Sequence, residues 1–341
     1  MKNMKAIILH EPGRFEYITK EKPSDLKPDD VLLKIKKVSI CGTDLHAYKG
    51  KQPFFTYPRI LGHEVSAEIV AVGSEVKGLK VGDKCTVEPY RNLVEDQAVR
   101  KGKTNCGSTL TVLGVHEDGA MQEYITYKAT NVHLTEGLDD DQISLVEPLA
   151  IGAHAVDRAQ ILHDDTVLVI GAGPIGLGVA AIARLSGVKV AVVDLLQDRL
   201  DFIKHKFPEV ETILLSDHTE GAIKDAFQGE LPTMIFDATG SKGSMENSFN
   251  LVAQGGTIVF VGLFVGSVTF DDPNFHRKEI TLKASRSARA QDFKKVIQLL
   301  QAGLIDTDGY ITHRIPFDHL IDDFETLYQP DQNLIKAVID F

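Results

Sequence analysis

Residues 167–183 carry no charged side chain, and Gly171, Gly173, Pro174 and Gly176 punctuate the middle of that run. A membrane helix would be broken there, so strand, turn and helix is the better reading. The order is an apolar strand at 167–170, the turn Gly171-Ala-Gly173-Pro174-Ile175-Gly176, then an apolar helix. That is the context a dinucleotide-binding fingerprint requires. The first glycine makes the tight turn, the second admits a pyrophosphate to the backbone amides, and the third lets helix and strand pack closely. The helix N-terminus stabilises the phosphate charge. Alone, such a fingerprint is weak and equally fits an ordinary glycine turn. Here the next apolar strand ends in Val192-Val193-Asp194, about 20 residues on. A carboxylate at that point can accept hydrogen bonds from an adenosine ribose and would repel a 2′-phosphate, so NAD is expected rather than NADP. Arg199 stays open to two readings, pairing with such a phosphate or stacking on adenine.

The alternation continues through VKVAVVD, a helix over 199–206, TMIFDATG, a helix near 245–253, GGTIVFVGL and EITLKAS. It predicts a parallel sheet covered by helices. Residues 5–128 read differently, as short β-type segments separated by Gly, Pro and Asp, the pattern of a mostly-β domain. From Asp292 onward a helix (QDFKKVIQLLQAGLI) and a closing apolar strand (LIKAVIDF) return to different material. A chain of 341 residues, 43% of them apolar, is too long for one ordinary core and fits two domains.

A net charge of −11 disfavours nucleic acid and anionic membranes as partners and leaves a small molecule. Cys41, Cys85 and Cys106 stand far apart in an odd-numbered set, which argues against a disulfide framework and for a reducing compartment. The N-terminal MKNMKAIILHEPG has too short an apolar run for a signal peptide or anchor, so a cytoplasmic location is expected.

Cys41-Gly42-Thr43-Asp44 is followed, 22 residues after the cysteine, by His63-Glu64. Soft sulfur, imidazole and carboxylate together suit Zn²⁺. Neighbours in an extended strand point to opposite faces, so His63 and Glu64 can share one ion only if the backbone turns, which Gly62 permits.

Cys41-Gly-Thr-Asp-Leu-His46, Gly62-His63-Glu64, Glu147-Pro148-Leu149 and the glycine fingerprint occur in that order. Over essentially the whole chain this resembles the zinc-dependent medium-chain alcohol and polyol dehydrogenases, and most closely their sorbitol and sugar-acid branch. The resemblance implies an α/β plus β architecture: a GroES-like, mostly-β catalytic domain over 1–148 and 288–341, and a Rossmann NAD-binding domain over 149–287. The discontinuity of the first domain rests partly on that likeness. It also implies that Cys41 and His63 bind zinc, with Glu64 and Glu147 sharing or exchanging the remaining protein position. One position stays open for water or substrate. Zinc can lower the pKa of an attached water from about 16 to about 7, which is why alcohol chemistry at neutral pH uses such a site.

In the family a proton relay runs through positions matched by Thr43 and His46. On residues alone, Thr43 reads equally as a helix cap and His46 as a surface histidine. Val261, Leu263 and Arg286 fall on the cofactor side by the same likeness, although Arg286 reads equally as a surface ion pair. The implied reaction is reversible, NAD-linked oxidation of a secondary hydroxyl of a sugar acid, for example at C5 of L-galactonate. A polyol or diol such as sorbitol or butanediol is the alternative within that chemistry, and a non-catalytic NAD-binding sensor the alternative of another class. A hexonate would need a cation such as Arg59 or Arg286 for its carboxylate. A homodimer or homotetramer is expected, and GGTIVFVGLFVG could extend a sheet into a neighbour.

The chain departs from the family in RNLVEDQAVRKGKTNCGS, where many relatives hold a second, structural zinc on four cysteines. Leu93, Asp96, Val99 and Gly107 stand at those positions, and Cys106 with Glu95 and Asp96 cannot build a sulfur-rich tetrahedron. One zinc per chain is expected. The lobe would then be offset by burial of Leu93 and Val99 against a neighbour, or be mobile. Other residues have plainer readings. Glu147 and His154, seven apart, fit packing better than a second metal pair. His116 with Asp118, His276-Arg277-Lys278, and the basic trio Arg100, Lys101 and Lys103 read as solvated loops. Cys85 reads as a buried small hydrophobe.

Overall fold

A computed structural model describes residues 3–53, 55–329 and 333–341. The chain divides into two compact units, Met1–Glu147 with Ala288–Phe341, and Pro148–Ser287.

In the second unit six parallel strands lie in the order Glu211–Leu214, Lys189–Asp194, Thr166–Ile170, Met234–Asp237, Thr257–Phe260 and Thr281–Ala284. Val167, Leu168 and Val169 are all fully buried, so the strand is covered on both faces, and this is why it reads as an unbroken apolar run. The uncharged stretch therefore ends as a strand, a glycine turn and the helix Pro174–Ala183. Among the described residues no helix is long and apolar enough to cross a membrane. The chain builds outward from Thr166–Ile170 on one side, then crosses to Met234–Asp237 on the other. Parallel sheets open a crevice at the carboxyl ends of their strands where the order switches in this way.

The segment GGTIVFVGLFVG does not offer an edge. Its strand, Thr257–Phe260, is paired on one side by Met234–Asp237 and on the other by Thr281–Ala284, so its apolar content serves burial within the sheet. The sheet ends at Glu211–Leu214 and Thr281–Ala284.

In the first unit the long strand Asp30–Ile40 is the hub. It pairs antiparallel with Glu64–Val72, Tyr124–Lys128 and the closing strand Lys336–Asp340. The sheet runs on through Lys84–Val87 to Val132–Leu134, and two separate antiparallel pairs, Asn3–Glu11 with Arg14–Glu21 and Tyr90–Asn92 with Leu110–Val112, complete the unit. Cys85 is fully buried there, and burial pushes its thiol up to about 12. The helix Ala290–Gln301 buries Phe293, Val296, Ile297 and Leu300, the 3–4 spacing of one helical face.

The reading of His276-Arg277-Lys278 as a solvated loop is corrected. His276 and Arg277 close the helix Asp272–Arg277, and Lys278 is buried. Its ammonium donates to the carbonyls of Phe249 (3.3 Å), Asn250 (2.8 Å) and Val252 (2.7 Å) at the end of the helix Lys242–Leu251. Lys283 does the same for Arg158 and Ala159 at the end of Val146–Ala159. A cation at a helix C-terminus satisfies orphan carbonyls and opposes the helix dipole. Nothing local in the sequence marks a cap delivered from another element.

The lobe at 93–108 is tied together by a carboxylate. Asp96 accepts from Val99 N (3.0 Å) at the start of the helix Gln97–Arg100 and from Ser108 N (2.7 Å) at the far end of the lobe. Those amides lower its pKa to about 2. The Asn92 amide adds a bond to Thr104 O (2.8 Å). Leu93 is 72% exposed within the chain, so its burial here does not stabilise the lobe.

Candidate active site

Cys41 follows the central strand and is the N-cap of the helix Gly42–Tyr48. Thr43 is therefore not the cap; it lies inside the first turn and is half-buried, while His46 is exposed in the last turn. Asp44 organises the cluster, a role its place in the motif did not reveal. Fully buried, its carboxylate accepts from Cys41 N (2.9 Å) and Gly62 N (3.3 Å) and stands 3.9 Å from His63 Nδ1. Burial raises the Asp44 pKa, against the pull of His63. Two turns distant in sequence are thus held in one place by one side chain.

The backbone turns at Gly62, with φ of +95°, and a Cβ there would meet Val38 Cγ1 at 2.9 Å. Because the strand begins only at Glu64, His63 sits on the turn. Donor atoms of Cys41, His63 and Glu64 all lie within 4.8 Å of one another, and among the described residues they form the only such group. His154 is buried in a helix and joins no such cluster.

Glu147, at the start of the helix Val146–Ala159, lies outside that group of three. Its carboxylate accepts a hydrogen bond from the Tyr90 hydroxyl. Burial, reinforced by Glu64, raises the Glu147 pKa to about 7 against the opposing effects of His63 and Tyr90. Burial first, then Glu147, drives the Tyr90 hydroxyl well above its usual range.

Glu64 has a partner that sequence patterns gave no hint of. Lys336, 4% exposed, donates to Glu64 Oε1 (2.8 Å) and Oε2 (2.7 Å) and more weakly to Ile40 O (3.3 Å). Burial alone would lower the ammonium; Glu64, with Cys41 and Glu147 behind it, outweighs that and raises it. Likewise burial would lower the His63 imidazole, but Asp44 and then Cys41 hold it well above its ordinary value.

A zinc ion fits these residues. The donors are a thiol, an imidazole and carboxylates, a soft and borderline set that zinc favours. Buried His63 Nδ1 makes no hydrogen bond among the described residues, a cost that coordination or a proton shared with Asp44 would remove.

In the second unit a cavity of about 870 Å³ opens at the carboxyl ends of the parallel strands. Of the residues expected to meet a cofactor, Gly171, Gly173, Asp194 and Arg199 line it. A Cβ on Gly173 would meet only Arg199 Nη1 at 3.8 Å, so space above that amide is open. A Cβ on Gly176 would fall 1.7 Å from Gly171 O, so this glycine closes helix onto strand and faces no cavity. Asp194 accepts from Ala172 N (2.6 Å) and Leu196 N (2.8 Å), which aims its carboxylate at the glycine turn. Pro174 and Ile175 open the helix. Val261 follows the fifth strand, its amide bonded to Asp237 O (2.9 Å), and Leu263 and Arg286 are exposed; none of these lines the cavity. Sequence reasoning missed Asp237. Fully buried, it accepts from Thr239 N (3.0 Å), Thr239 Oγ1 (2.7 Å) and the Ser244 hydroxyl, fixing the turn that borders the cavity.

Two family models match the chain. A model of the alcohol dehydrogenase GroES-like domain matches residues 27–137, and one of the zinc-binding dehydrogenase family matches 174–302. The chain is 43% identical to L-galactonate-5-dehydrogenase of Escherichia coli (strain K12), covering 100% of both chains. It is 31% identical to sorbitol dehydrogenase of Halalkalibacterium halodurans over 91% of this chain and 92% of that one. The crystal structure of the alcohol dehydrogenase RspB from E. coli CFT073, complexed with NADH, superposes with a TM-score of 0.92 at 32% identity, covering 99% of each chain.

Proposed function

The chain belongs to the zinc-binding alcohol dehydrogenases with a GroES-like domain, an oxidoreductase family, and from that premise we propose that it transfers hydride between NAD and a secondary hydroxyl of a sugar acid. The convergence of half-buried Cys41 with buried His63 and Glu64 in one cluster carries this reading. Cys41 and His63 hold the zinc, with Glu64 or Glu147 as the carboxylate. Zinc supplies a Lewis acid that eases ionisation of the substrate hydroxyl at neutral pH. Asp44 keeps the cysteine and histidine turns in register, as its hydrogen bonds to both support. Thr43 and His46 carry the released proton outward, a role that fits the half-buried threonine and exposed histidine of one short helix.

NAD is preferred over NADP because Asp194 presents a negative charge at the cavity where a 2′-phosphate would lie. Likeness to L-galactonate-5-dehydrogenase supports a hexonate, and likeness to sorbitol dehydrogenase supports a neutral polyol as second reading. Arg59, a candidate partner for a hexonate carboxylate, stands 3.6 Å from Asp118 and donates to Thr56 Oγ1 (3.0 Å), so its charge is already engaged. One zinc per chain is held, since the lobe at 93–108 offers no sulfur-rich ligand set.

The test is NADH formation by zinc-loaded protein across hexonates, polyols and diols, with Cys41→Ala as control. The expected result is turnover of a hexonate that Cys41→Ala abolishes. Turnover on none of them, with NAD binding intact, would instead favour a sensor.

A further inference from the structure

We propose that Lys336 is a positioning residue that restrains the Glu64 carboxylate and thereby keeps one coordination position open at the Cys41–His63 site. The inference rests on the zinc reading above. A Glu64 oxygen lies close enough to Cys41 and His63 to join them on one ion. Yet both its oxygens already accept from a single ammonium, at 2.8 and 2.7 Å. The third proton of that ammonium is directed to Ile40 O at 3.3 Å, so the lysine is fully used in this one geometry.

The strand ladder holds the pair in place. Ile40 faces Ala337 on one side of the central strand, and Ser39 faces Glu64 on the other, so the lysine reaches across the strand end to the glutamate. Both residues are almost wholly buried, at 4% and 1% exposure, and a buried carboxylate needs hydrogen-bond donors or a cation, both of which the ammonium supplies. Cys41, Asp44, Glu64 and Glu147 set four acidic groups at the site against a divalent ion and one ammonium, and without Lys336 the ion alone opposes them. Without the lysine, the metal is the strongest cation within reach of Glu64, and binding there would close the position a substrate oxygen needs.

This predicts an outcome opposite to that of a merely structural lysine. Lys336→Met should slow zinc release to excess chelator and lower kcat by about tenfold, whereas loss of a group that merely supports a metal ligand weakens metal binding by about 10–100-fold. Lys336→Arg should stay near wild type in zinc release. The double variant Lys336→Met/Glu64→Gln, which removes the carboxylate, should return zinc release to the wild-type rate. In cobalt-substituted protein, Lys336→Met should shift the visible absorption bands and the double variant should restore them. Faster zinc loss from Lys336→Met would overturn the proposal. Where that variant fails to fold, Glu64→Gln decides: unchanged zinc release supports the restraint, and accelerated release overturns it by making Glu64 a resting ligand. Wild-type protein that binds zinc through Cys41 yet gives either adverse result defeats this inference alone. Protein whose zinc content ignores Cys41→Ala defeats the zinc reading and this inference with it.

Discussion

At the scale of single residues the chemistry separates into groups that name themselves and groups that serve them. Cys41 and His63 stand in short motifs whose elements limit the choice of metal. Asp44, Tyr90 and Lys336 do not, because an acid near a helix start, a tyrosine after a proline and a lysine in a final strand all have ordinary readings. Their roles come from partners up to 272 residues away. Asp194 lies between these cases: its position at a strand end was legible, and its bonds to Ala172 and Leu196 orient it. Asp194→Asn keeps an acceptor and removes the charge. It should raise kcat/KM for NADP relative to NAD by about tenfold, equivalent to about 1.4 kcal/mol. Steady-state kinetics with both cofactors measure this; an unchanged ratio would remove Asp194 from cofactor selection.

Elements were legible where their periodicity is internal. The parallel strands, the helix Pro174–Ala183 and the helix Ala290–Gln301 follow from apolar runs, a glycine turn and a 3–4 repeat. Their ends were less so, because some are capped from a distance. Lys278→Met should leave three carbonyls without their donor and cost about 1–3 kcal/mol, seen as a lower denaturation midpoint. A midpoint at the wild-type value would show that water satisfies those carbonyls. The lobe at 93–108 depends on one carboxylate in the same way. Asp96→Ala should make it the first site of limited proteolysis while zinc content holds constant. Loss of zinc in that variant would tie the lobe to the metal after all. Because the Asp96 pKa is depressed to about 2, its contribution is present above about pH 4 and fades as pH falls toward 2.

For the whole molecule, the buried cluster links metal, protons and stability. In metal-free protein the Glu147 carboxyl, raised to about 7 from 4.5, takes up a proton on folding. Its stabilising share is therefore complete below about pH 4.5 and lost as pH rises through 7, whereas zinc requires the ionised ligand. Thermal unfolding of metal-free protein should show stability from this group falling across that window, with Glu147→Gln flattening the slope and zinc restoring stability at the alkaline end. An identical slope in Glu147→Gln would show that another group carries the dependence.

The sequence by itself determined the family, the glycine turn of the parallel sheet, and the residue types able to bind a soft divalent ion, because each is written in short spacings that local geometry enforces. Only the tertiary structure decided that Asp44 joins two turns, that Tyr90 meets Glu147, and that the final strand brings Lys336 to Glu64. Those contacts exist because strands far apart in the chain pair on either side of Asp30–Ile40, and a buried charge must find its partner wherever the ladder places one.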